Sequence, residues 1–265
     1  MAMIQALFYA EAPVIAAVVC GTTAASAVLA HLLVFRFRPF AAVRGRPVVA
    51  SYFSATTTLF TLFLAFSASH AWTNDNAARA AAAAESAAAD RLLTIITRFH
   101  PAPADAATPI RAYIAAVVQQ EWGTDRNRVP SPAAVAALDA IETMVWEARI
   151  QRHVDTAVGD AMLRAVDVLE TARTKRLGLA ADVGDGVRWM LLLVLGFVAL
   201  LSMAMCHADR PETARIAVAV LGVGMAAVMA VSAMYESPYT GLHAIGPDAL
   251  AAVLAEHRAP APRAS

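Results

Sequence analysis

Val48–Phe99, VVASYFSATTTLFTLFLAFSASHAWTNDNAARAAAAAESAAADRLLTIITRF, reads as one helix that changes its surroundings halfway along. Its first part, Val48–Trp72, carries no charge and is long enough to span a bilayer. From Thr73 it continues without Gly or Pro but gains Asp75, Arg79, Glu85, Asp90, Arg91 and Arg98. No breaker falls between Pro47 and Pro101. At about 1.5 Å per residue the element reaches roughly 75 Å, more than twice the ~30 Å hydrocarbon thickness. A spanning helix that runs on into water belongs in a pore stalk or a signalling rod, not in an enzyme site.

The flanking sequence completes a membrane plan. With 59% hydrophobic residues the chain is too apolar for an ordinary water-soluble domain of its length. Four stretches qualify as spans: about Ala12–Phe35, Val48–Trp72, Val187–His207 and Thr213–Tyr235. The expected fold class is therefore all-α, a polytopic membrane protein with four transmembrane helices and a helical insert extending from the second span. Residues 1–47 hold the first span and a basic loop, 48–99 the second span and its stalk, and 100–186 a water-exposed helical bundle. Residues 187–235 hold the third and fourth spans, and 236–265 a short amphipathic helix and a disordered tail.

Within the insert, His100-Pro101-Ala102-Pro103 ends the stalk, since proline lacks a backbone donor and restricts the residue before it. Thr108-Pro109 and Ser131-Pro132 are helix starts, running to about Trp122 and about Leu177, with Gly159 a break in the second. Val135, Leu138, Ile141, Val145 and Ala148 form one apolar stripe suited to packing on the stalk. Pro247–Glu256 has the pattern of an amphipathic helix at the membrane surface.

Zero formal charge excludes an electrostatic nucleic-acid binder. Cys20 and Cys206 fall inside spans and read as packing residues without a disulfide. No metal-protease, P-loop, dinucleotide or nucleophile-elbow motif occurs, so no enzymatic activity, cofactor or metal is expected. His153 with Asp155, and His100, read as solvated helix-surface residues. His31, inside the first span, is either an intramembrane functional group or a residue reaching the interface. The arginines of the Arg36–Arg46 loop, with Arg210 and Arg215, place both short loops in the cytoplasm and the insert outside. Arg173, Lys175, Arg176 and Arg188 argue the opposite way.

On the second span Thr58, Leu62, Phe66 and Ser69 share one face, while Phe60, Phe63, Ser67, His70 and Asn74 share another. The first face suits an apolar constriction if subunits ring an axis. The alternative is that the phenylalanines face lipid and the hydroxyls bond back to backbone carbonyls.

Phe63-Leu64-Ala65-Phe66, then Ala71-Trp72-Thr73-Asn74-Asp75-Asn76-Ala77-Ala78-Arg79, then Glu85, resembles the bestrophin-like integral membrane family of bacteria. Trp72, the Ala78-Arg79 pair and Glu85 six residues on match that pattern, whereas Thr73 and Asp75 depart from it. Pro238-Tyr239-Thr240-Gly241 after the fourth span extends the likeness over nearly the whole chain. The resemblance implies kinship with bestrophins, pentameric anion channels whose second span lines an apolar neck. Carried over, Leu62 and Phe66 are neck residues with Thr58 above them, and Trp72, Arg79 and Glu85 mark the mouth or stalk. The implied function is an oligomeric passive anion channel in the bacterial inner membrane, with the lipid bilayer, its own copies and anions as partners. It also implies a cytoplasmic stalk, against the loop charges. The rival reading is a membrane-anchored helical sensor or scaffold that binds a ligand or partner through the insert.

Overall fold

The computed structural model describes residues 7–37, 50–98, 106–122, 127–150, 154–240 and 243–257. Among them every regular element is a helix. In order these are α1 (Ala12–Arg36), α2 (Ala50–Arg98), α3 (Thr108–Ala116), a π-helical turn (Val117–Trp122) and α4 (Pro132–Ile150), then α5 (Thr156–Ala181), α6 (Gly186–Cys206), α7 (Pro211–Met234) and α8 (Asp248–Glu256). α2 is a single helix of 49 residues. The chain divides into two compact units, one of Met1–Asp75 with Val183–His243 and the other of Asn76–Asp182 with Ala244–Ser265. α2 gives its first half to the former and its second half to the latter.

In the first unit α1, α6 and α7 are long and apolar enough to cross a membrane. The uncharged half of α2 is not among them, so composition supports three spans of the four expected. The shortfall comes from hydroxyls: Ser54, Thr56, Thr57, Thr58, Thr61, Ser67 and Ser69 dilute its leucines and phenylalanines. Several of them bond back within the helix. Thr56 donates to the Tyr52 carbonyl at 3.1 Å, Ser67 to that of Phe63 at 2.9 Å and Thr73 to that of Ser69 at 2.8 Å.

Phe60, Leu64, Ser67 and Ala71 form the buried face of this half. Phe60 meets α6 at Gly196, where an added Cβ would lie 3.3 Å from its ring and 3.2 Å from the Met225 methyl of α7. A side chain there would crowd both groups, so the small residue suits the close helix approach. Gly184, before α6, has φ +64 and faces Phe8 so closely that any Cβ would overlap the ring. Phe8 in turn packs on Trp189, ring centroids 5.1 Å apart.

The second unit closes around Leu92, Leu93 and Ile96 of α2, Ile110 and Ile114 of α3, Ile141 and Val145 of α4, and Leu169 of α5. The alanine run of α2 favours helix and keeps that face thin. Leu138, Ile141 and Val145 are buried as their spacing implies, but Val135 is exposed and Ala148 half-buried, because α4 turns Ala134 and Ala137 inward instead. The tract expected to run to Leu177 is two helices, and its break precedes Gly159, which lies in the first turn of α5 with its site facing Arg149 and Val154. The Arg38–Arg46 segment, His100 and its prolines, His153 and everything from Arg258 lie outside the described residues.

α8 corrects an expectation. It docks in the second unit, with Leu250 and Val253 in the core. Trp122 Nε1 donates to the Ile245 carbonyl at 3.0 Å before it, and Arg111 to the His257 carbonyl at 3.0 Å after it. His257 Nε2 lies 2.8 Å from Asp90 Oδ1. The apolar stripe read as facing lipid is spent on the insert.

Candidate functional site

Opposite the packed face of α2, Leu59, Leu62 and Phe66 are exposed. Leu62 is 51% exposed and Phe66 65%. Thr58 is exposed on the same side, one turn before Leu62, so the structure brings Thr58, Leu62 and Phe66 together at four-residue steps. Trp72 is also exposed, and its ring meets Tyr235 edge-on at 6.1 Å. Arg79 is exposed in the second unit. Glu85 behaves differently: it is fully buried.

Its partners are neither Arg79 nor Arg91. Arg176 of α5 donates Nε to Glu85 Oε2 at 2.5 Å and Nη2 to Oε1 at 2.9 Å, and Tyr113 Oη donates to Oε1 at 2.6 Å. Arg176 Nη2 also reaches Glu121 Oε2 at 2.7 Å, and its Nη1 bonds the Asn127 side-chain oxygen. Arg173, one turn earlier, donates to Glu121 Oε1 at 2.6 Å. The Trp122 ring covers the Arg176 guanidinium at 4.3 Å. The π turn presents Glu121 and Trp122 side by side to this arginine, and Asn127, at φ 63, closes the chain back with its N–H on the Glu121 carbonyl at 2.7 Å. Ser131 N–H adds a bond to Glu121 Oε1 at 3.0 Å.

The electrostatics follow the geometry. Burial alone would raise the Glu121 carboxyl, but bonds from Arg173 and Arg176 outweigh it and hold it below the ordinary carboxylate range. Burial and the adjacent Glu85 raise the Tyr113 phenol well above its usual value, so it stays a donor. Burial disfavours the Arg176 charge, yet Glu85 and Glu121 keep it firmly protonated. The cluster is a saturated charge network inside the insert, built to fix four elements on one another.

A second charged cluster lies in the first unit. Arg188, in the first turn of α6, donates to both oxygens of Glu236 just past α7, at 2.6 and 2.5 Å. Its other terminal nitrogen lies 2.8 Å from His70 Nδ1 on α2. Burial raises the Glu236 carboxyl above its ordinary range, more than Arg188 lowers it.

Sequence reasoning took Arg173, Arg176 and Arg188 as charges flanking the third span, and passed over Tyr113, Glu121 and Glu236. The available signal was position: Arg173 and Arg176 fall on the α5 face that carries Val166 and Leu169, where a charge must find a partner. His31 packs tilted against Phe35, ring centroids 4.6 Å apart. Cys20 and Cys206 are free thiols. Among the described residues no three His, Cys, Asp or Glu side chains gather as a metal set.

The fold is one already seen in bacteria. A bestrophin homologue from Klebsiella pneumoniae superposes with a TM-score of 0.69 at 13% identity, over 90% of this chain and 97% of that one. A single-residue variant of a Klebsiella pneumoniae bestrophin homologue gives 0.70 at 14%, over 91% and 96%. A crystal structure described as a membrane protein variant gives 0.67 at 14%, again over 91% and 96%. No curated protein matches the sequence. The bestrophin-like domain, however, matches it from residue 21 to residue 250, spanning α1 and α2, the insert, α6 and α7. By that match the chain belongs to the bestrophin-like family.

Proposed function

We propose that the chain assembles as a homo-oligomer around its second span and forms a passive anion-permeable pore in the bacterial inner membrane. The observation that carries this reading is the face of Leu59, Leu62 and Phe66, exposed in the protomer while Phe60, Leu64 and Ala71 bury the other side. A helix packed on its own bundle by one face and presenting large apolar groups on the other is suited to ring an axis. The uncharged half of α2 is then the fourth span, with the Thr56 and Ser67 hydroxyls bonded internally where lipid offers them no partner.

In such a ring Leu62 and Phe66 form a neck that closes by dewetting, with Thr58 a turn before it. Trp72 and Arg79 lie beyond the neck on the stalk side, where Arg79 raises the local anion concentration by its potential. Glu85 serves the stalk and not the mouth, since Arg176 and Tyr113 occupy it. Five copies follow from the resemblance to bestrophins.

Chloride flux into proteoliposomes, measured beside the Leu62→Ala/Phe66→Ala variant, tests the assignment. Flux enhanced by the variant is the expected result. Unchanged flux would remove the neck, and no flux from folded, oligomeric protein of either kind would favour the scaffold reading of the insert.

A further inference from the structure

Arg188 joins α2, α6 and the segment after α7 at a single point of the first unit. It is well buried, at 14% side-chain exposure, and Glu236 beside it is at 4%. Guanidinium is a donor only, so the 2.8 Å contact requires His70 Nδ1 to offer its lone pair. The Asn74 amide nitrogen, 3.5 Å from the same Nδ1, is a further donor aimed at it. The imidazole is therefore neutral in this arrangement, with its proton on Nε2. Adding a proton at Nδ1 would set N–H against N–H and cation against cation.

His70 itself is open to solvent, so the charged ring, once formed, is free to turn away from Arg188 into water. Glu236 already spends both oxygens on Arg188. Past α7, His243 stacks on Tyr235 at 5.4 Å, and Tyr235 carries Trp72 on its edge. On α2 itself Asp75 is buried, beyond Asn74. Acid also acts on the far side of the hub, because burial makes the Glu236 carboxyl easier to protonate than an ordinary one. Both events loosen the same guanidinium.

We propose that Arg188 is the positioning residue of the second span and that His70 makes its grip on that helix dependent on a proton. His70 follows Leu62 and Phe66 by two turns and one turn on the same helix, so the contact holds the end next to the exposed apolar face. Protonation releases that end. On the pore reading, on which the functional half of the inference rests, anion flux then rises on acidification.

The test uses the purified full chain and two readouts. Tryptophan fluorescence reports the hub without any channel activity, since Trp72 lies on α2 and Trp189 follows Arg188. Wild type should show a spectral transition between about pH 8 and 5 that is absent from His70→Gln, whose amide oxygen still accepts from Arg188 but takes no charge. Chloride flux in proteoliposomes should rise severalfold over that range in wild type and stay flat in His70→Gln. An identical fluorescence transition in both proteins overturns the proposal. The expected fluorescence difference with no flux from either protein supports the proton-dependent grip and overturns the pore reading instead.

Discussion

Replacing Arg176 by Met should strongly destabilise the insert. The side chain is fully buried and makes charged bonds to Glu85 at 2.5 and 2.9 Å and to Glu121 at 2.7 Å. Its loss leaves the two carboxylates unequal. Glu121 keeps Arg173 and the Ser131 N–H, whereas Glu85 keeps only the Tyr113 hydroxyl. One carboxylate is thus stranded in the core, for which about 3–5 kcal/mol is the expected penalty. At ~2–4 °C per kcal/mol for a protein of this size, the melting temperature should fall by roughly 6–20 °C. Tryptophan fluorescence during heating at fixed scan rate is a suitable assay, because Trp122 lies 4.3 Å over the guanidinium and reads the network directly. Adding Glu85→Gln to Arg176→Met removes the stranded charge and should recover at least about 1 kcal/mol, a coupling that residues in contact can show. Arg210→Met is the control: its pair with Asp209 is 3.6 Å long and 78% and 63% exposed. It should change stability by less than about 1 kcal/mol. A fall below about 2 °C for Arg176→Met, or no recovery in the double variant, would refute the view that the insert is pinned by this network.

Acid should weaken the same network with a defined sign. Glu121 titrates below its ordinary 4.5 in the folded chain, so its contribution is complete above that value and lost as the pH falls through the lower one; melting curves of wild type and Glu121→Gln should converge there. Gly184→Ala places a Cβ at φ +64 against the Phe8 ring, and should destabilise by more than the ~1–2 kcal/mol of the left-handed backbone alone, read as a lower melting temperature. Leu250→Ala empties a core position of the second unit and should cost about 2–5 kcal/mol by the same assay, where a membrane-surface helix would leave it unchanged.

The helices themselves were legible because their signals are local. Missing breakers give α2 its length, and Ser131-Pro132 starts α4. The apolar runs of α1, α6 and α7 needed nothing beyond composition. What stayed hidden depends on partners far along the chain. Glu85 and Arg176 are 91 positions apart, and the nearest arginines on α2, Arg79 and Arg91, both lie off the three- and four-residue pairing spacing of a helix. The π turn, which sets Glu121 beside that pair, leaves no mark in residue types. α8 was amphipathic in sequence, but an apolar stripe does not state whether lipid or protein will cover it. The Leu62–Phe66 face was readable as a face, since four-residue spacing is local, while its role depends on copies of the chain that no spacing describes.

The docking of α8 has a consequence for the order of events during synthesis. The second unit is interrupted in sequence by Val183–His243, so Leu250 and Val253 emerge after α6 and α7 have been made. At about 5–20 residues per second, on the order of ten seconds separate the end of α5 from the arrival of its last helix. During that interval the nascent insert carries an open apolar seam beside Ile110 and Ile114, a natural site for a chaperone to hold while the last two membrane helices are being laid down.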